Sequence, residues 1–137
     1  MKNPLMSFDE AVEQYVLADP RYPVEAYYFI RDGFEYTAHT LPEEGKEERF
    51  AKERAAGIPM LTGRDLSFGL RDFALEEYGP MAYFTLDRWN LRSTSDFGEI
   101  VFNLIKMGRF SQNHGDKKSD FDNVFDFREA FCKPYED

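Results

Sequence analysis

Asp96, Phe97 and Gly98 form the triplet that holds magnesium in protein kinases, so phosphoryl transfer is the first chemistry to weigh. That chemistry needs partners: a glycine-rich loop, a strand lysine and a His-Arg-Asp catalytic loop upstream. Leu86 to Leu91 reads LDRWNL, which supplies an aspartate and an asparagine without that order, and neither GxGxxG nor GxxxxGK[ST] occurs. A structural account covers all three residues. Asp96 falls in a first helical turn, where the helix dipole favours a carboxylate. Phe97 is the first core-facing position, and Gly98 allows a close neighbour.

The remaining reactive side chains are few. His39 and His114 lie far apart and neither belongs to a zinc-ligand pattern. His39 falls near the end of a helix, where an imidazolium is mildly stabilised. His114, Asp116, Asp120 and Asp122 suggest a cation loop, but Lys117 and Lys118 interrupt it and no glutamate closes it. A solvated hairpin loop is the better reading. Cys132 follows Phe131 and precedes Lys133; a lysine lowers a thiol pKa, yet a nucleophile also needs a base in reach. We read it as a small, half-buried residue near the C-terminus. No catalytic residue, metal ligand or cofactor site follows from these patterns, and a non-enzymatic protein is the expectation.

The elements that would position these residues are mostly helical. Ser7 and Glu10 fit a capping box, and Phe8, Ala11, Val12, Tyr15 and Val16 follow at helical spacing. Pro23 opens a second helix with Val24, Tyr27, Ile30, Phe34, Ala38 and Leu41 on one face and Gly33 as a weak point. Residues 42–61 are charged and read as a surface connection. Thr62 and Asp65 start a third helix with Leu66, Leu70, Phe73, Ala74 and Tyr78 inward. Gly79-Pro80 stops it and starts a short helix with Met81, Phe84, Thr85 and Trp89 on one side, closed by Asn90. Phe97, Ile100, Val101, Leu104 and Ile105 mark a strongly amphipathic helix ended by Gly108. Arg109–Gln112 and Asn123–Phe127 read as two strands of a hairpin.

The expected fold is therefore a mainly α single domain over 1–137. A helical pair (7–41) packs on a three-helix, winged-helix-like core (62–131) with a small C-terminal β-hairpin. In that arrangement the helix after Trp89–Thr94 takes the place of a recognition helix, with Asp96, Glu99, Asn103 and Lys106 outward. Arg88, Arg92, Lys106, Arg109, Lys117 and Lys118 make a candidate nucleic-acid edge. Tyr15, Tyr27, Tyr28 and Tyr36 make a candidate protein interface, because tyrosine joins an apolar ring to a polar tip.

Bulk composition weighs between these two surfaces. In 137 residues there are 26 acidic and 17 basic side chains, a net charge of −9, which repels phosphate backbones and anionic membranes. Aromatics reach 17%, enough to build a core despite 31% charged residues. The single cysteine excludes an internal disulfide and suits a reducing cytoplasm, and no apolar run reads as a signal peptide or membrane span. A protein partner or a second copy is favoured over nucleic acid, with duplex binding as the alternative and an enzyme with an unrecognised site as the third reading.

The stretch GRDLSFGLRDFALEEYGPMAYFTLDRWNLRSTSDFGEIVFNLIKMGRF, with FDNVFDFREAF after it and DPRYPVEAYYFIRDGFEYT before it, resembles a family of small bacterial proteins largely restricted to Verrucomicrobia and Planctomycetes. The resemblance implies a folded whole-domain unit. It brings no activity, cofactor or catalytic residue with it.

Overall fold

A computed structural model describes residues 6–40, 62–110 and 117–136. The charged connection at 42–61, His114 and Asp116 fall outside the described residues, as does Gln112 of the expected hairpin. The protein is mainly α-helical.

Helix α1 spans Phe8–Ala18, and Ser7 caps it by accepting the Glu10 amide at 3.1 Å. Helix α2, Val24–Thr40, buries Ala26, Tyr27, Phe29, Ile30, Gly33 and Thr37, a wider face than the sequence pattern marks. It packs against α1, against α3 (Gly63–Tyr78) and against α5 (Thr94–Lys106), so it is the shared centre of the bundle. Helix α3 begins with the expected box: the Asp65 amide donates to Thr62 Oγ1 at 3.0 Å and the Thr62 amide to Asp65 Oδ2 at 3.3 Å. Gly79, at φ 52°, ends α3. A 3₁₀ turn, Gly79–Met81, leads into α4, Ala82–Arg88. Asn90 adopts φ 64°, as expected of a residue closing that helix, and Gly108 at φ 75° follows α5.

The α2–α3 contact depends on two glycines. A Cβ placed on Gly69 would overlap the Thr37 side chain, and one placed on Gly33 would strike Leu70. Gly33 is therefore a contact surface more than a flaw in α2. Thr37 is buried, and its hydroxyl is satisfied by donating to the Gly33 carbonyl at 2.7 Å.

The expected C-terminal hairpin is corrected by the structure. Among the described residues there is no strand; the segment forms a 3₁₀ turn at Lys118–Phe121, a short helix α6 at Phe127–Phe131 and a 3₁₀ turn at Lys133–Tyr135. The reason lies in where the backbone groups go. Thr94 Oγ1 donates to the Phe121 carbonyl at 2.6 Å and accepts the Val124 amide at 3.1 Å. Asn123 is left-handed at φ 51°, and Asp126 caps α6 through the Glu129 amide at 3.1 Å. Groups committed to Thr94 and to a cap cannot form a ladder. Among the described residues there is therefore no wing, and what stands of the expected fold is its mainly helical class.

Buried residues from Ala11 to Phe131 join in one cluster. We expect Gly69→Ala to destabilise the protein by about 1–3 kcal/mol through overpacking against Thr37. Thr37→Ala in the same chain should recover part of that loss, a coupling that urea denaturation of the two single variants and the double variant measures.

Candidate functional site

The Asp96-Phe97-Gly98 triplet is absorbed into the fold residue by residue. The Asp96 carboxylate accepts the Arg92 amide at 2.9 Å, the Ser93 amide at 3.1 Å and the Tyr22 hydroxyl at 2.5 Å. It thus caps α5 and ties the α1–α2 junction to it. Burial pushes the Tyr22 phenol upward, and the hydrogen bond to Asp96 pushes it the same way, so it remains a donor. Phe97 is fully buried, with ring centroids 5.4 Å from Phe127 and 6.3 Å from Phe29. Gly98 lies under Phe121, whose Cβ would sit 2.9 Å from an added methyl. Asp96 was expected to face outward on a recognition helix; it is instead half-buried among donors.

Asn103, expected on that same outward face, is buried on α5. Its amide donates to the Tyr27 hydroxyl at 3.0 Å, and its carbonyl accepts from the Tyr15 hydroxyl at 2.8 Å. This polar link between α1, α2 and α5 divides the four candidate interface tyrosines. Tyr27 is fully buried, its phenol pushed up to about 12 mainly by burial, so it offers no surface. Tyr15 is half-buried and faces Asn103. Tyr28 packs on Phe8 with the Arg31 guanidinium 5.1 Å from its ring centre. Tyr36 donates to Glu76 at 2.7 Å and lies on Phe73. Each of the four thus joins one helix to another.

The candidate basic edge is similarly occupied. Arg92 pairs with Asp87 at 2.7 Å, and Lys118 with Glu99 at 3.1 Å. Glu99 also holds Arg21 at 2.9 Å. Arg109 donates to the Met6 carbonyl at 2.5 Å. Arg88, Lys106 and Lys117 are exposed. Lys117 and Lys118 belong to a turn packed on α5, not to the tip of a wing.

His39, Asp120 and Asp122 have structural partners. His39 Nδ1 is 2.8 Å from the Glu35 carbonyl. Asp122 accepts from Ser95 at 2.8 Å and Asp120 from the Lys117 amide at 3.2 Å. Cys132 is half-buried at the end of α6. Among the described residues no group of 3 or more His, Cys, Asp or Glu could hold a metal ion, and no helix is long and apolar enough to cross a membrane.

One surface stands out. Met81 is 58% exposed and Phe84 60% exposed, whereas Trp89, grouped with them on one side of the helix by the sequence pattern, is half-buried. In α4, Ala82 and Leu86 face the core with no exposure. Tyr83 lies edge-on to Phe84 at 5.6 Å, and the Arg128 guanidinium stands 5.4 Å over the Tyr83 ring. Tyr135, 47% exposed, brings its hydroxyl to the Gly79 end of the same turn. The signal that could have found this face is the Ala82–Leu86 spacing, the alternative i, i+4 pair in a helix of two turns.

Comparison of the chain with protein-family models, curated proteins and solved structures gives no match.

Two consequences can be measured. Asn103→Ala leaves the Tyr27 hydroxyl without its donor in the core, so a loss of about 1–3 kcal/mol in unfolding free energy is expected by chemical denaturation. For Glu99, burial pushes the carboxyl up, but hydrogen bonds from Lys118 and Arg21 outweigh it and hold the group below its usual range. Its ionised form is thus favoured by folding; that contribution is present above the unfolded-state pKa and is lost as pH falls through the folded one. Glu99→Gln should cost less than about 1 kcal/mol at neutral pH, since the pair is partly solvated. In acid, the variant and wild-type denaturation midpoints should converge.

Proposed function

We propose that this protein is a non-enzymatic, protein-binding adaptor or regulatory module. The observation that supports this most is the exposed apolar pair Met81 and Phe84 at the start of α4; among the described residues the other large apolar side chains in the open are Leu17, 85% exposed, Phe34 and Tyr135. Apolar side chains that lie side by side on a folded surface cost solvation free energy, and a contiguous patch of them is a common mark of a site that another chain covers. The duplex-binding alternative keeps Arg88, Lys106 and Lys117 as exposed cations, but α5 has most of its surface under α2 and the Lys118–Phe121 turn. With a net charge of −9 as well, it is the weaker reading.

The test compares wild type with Met81→Ser/Phe84→Ser in affinity capture from a lysate of the source cells, with the oligomeric state read by light scattering. Both substitutions are at exposed positions, so the helical circular-dichroism signal should be unchanged. The expected outcome is a reproducible partner, or a self-associated form, that the double variant loses. A strictly monomeric wild type that captures nothing reproducible removes the proposal.

A further inference from the structure

The partner's chemistry can be read from what borders the α4 face. Met81, Phe84 and Arg88 fall at i, i+3 and i+7, on one side of the helix, and Arg88 is exposed. Arg128 reaches in from α6 over Tyr83, which touches Phe84. The carboxylates beside them in sequence are engaged: Asp87 holds Arg92 at 2.7 Å, Glu129 holds Lys133 at 3.0 Å, and Asp126 accepts the Glu129 amide at 3.1 Å. Among the described residues Arg88 and Arg128 have no carboxylate partner. A small apolar surface bordered by two uncompensated guanidinium groups is complementary to carboxylates flanking an apolar anchor.

Resting on the protein-binding reading above, we propose that the outer face of α4 takes a short acidic segment of a partner protein, with an aromatic or branched apolar anchor set over Met81 and Phe84 and its carboxylates on Arg88 and Arg128. Size favours a segment over a second copy. The two exposed side chains offer on the order of 250 Å², whereas a stable dimer takes about 800 Å² from each partner. The net charge of −9 does not oppose an acidic ligand here, because exposed charges farther off than about 8 Å are screened at physiological salt.

The experiment is a selection from a random-peptide display library on the full-length chain, counter-selected against Met81→Ser/Phe84→Ser. The enriched peptide is then synthesised and titrated against wild type, Arg88→Glu and Arg128→Glu. Expected are peptides with aspartate or glutamate close to a large apolar residue, and an affinity loss of roughly tenfold in each charge-reversed variant, the size of one charge-assisted hydrogen bond. Arg128→Glu also removes the contact with Tyr83, so Arg88→Glu is the cleaner arm. Enriched peptides that are basic or uncharged, or an affinity unchanged in Arg88→Glu, overturn the acidic-segment proposal while leaving α4 as a protein-binding face. No enrichment over the double variant, or a wild type that dimerises through α4, also overturns it. Equal binding of selected peptides to the double variant goes further and removes α4 from the protein-binding reading.

Discussion

The ring of Phe97 is the constraint around which the rest of this fold is arranged. It touches Phe29 from α2 and Phe125 and Phe127 from the C-terminal segment, so three parts of the chain meet at one side chain. An aromatic ring buried on all sides contributes on the order of 2–3 kcal/mol in transfer free energy, with further gain from tilted ring pairs. Its neighbours in sequence serve the same junction. Thr94 accepts and donates to the segment around Phe121–Val124, and Gly98 leaves room for the Phe121 ring. The opening of α5, from Thr94 to Gly98, is thus shaped by what lies against it.

The acidic composition then takes on a specific structural meaning. Asp65, Asp96, Asp120 and Asp126 are placed at the starts of helical turns, where backbone amides need an acceptor. Asp87 and Glu99 neutralise arginines and a lysine that would otherwise have formed a basic edge. A cluster of aspartates in sequence looks like chemistry because carboxylates are versatile. In this fold their short side chains are used for geometry, and an acceptor already holding two or three donors has little left with which to bind an ion.

Local signals carried well from sequence to structure, and long-range ones did not. Thr62 with Asp65, Gly79-Pro80, Asn90, Gly108 and the Phe97–Leu104 stripe all depend on residues within a few positions of each other, and all appear as read. The C-terminal misreading has a clear cause. Phe125 and Phe127 alternate with polar residues as in a strand, but both rings point to the Phe97 cluster because Asp126 starts a helix between them. Asn103 looked exposed because an amide among apolar residues is costly to bury; only the tyrosines of α1 and α2, 88 and 76 positions away, make it affordable. The contact role of Gly33, which the sequence shows only as a weak point, and of Gly69 was hidden for the same reason: a close helix crossing leaves no trace in either helix alone.

Helix α4 shows how a surface can be missed when an element is short. Two turns admit two apolar registers, Met81–Phe84 and Ala82–Leu86, and side-chain size favours the first. Space decides for the second. The region between α3 and α6 accepts the small Ala82 beside Leu86, with both fully buried, and turns the larger Met81 and Phe84 outward. A methyl group at position 82 lets the backbone of α4 come close to its neighbours, which a methionine or phenylalanine ring in that place would prevent. The backbone that carries the exposed apolar pair is therefore held in place by the packing beneath it, so ordering that backbone would add little to the entropic cost of any docking there.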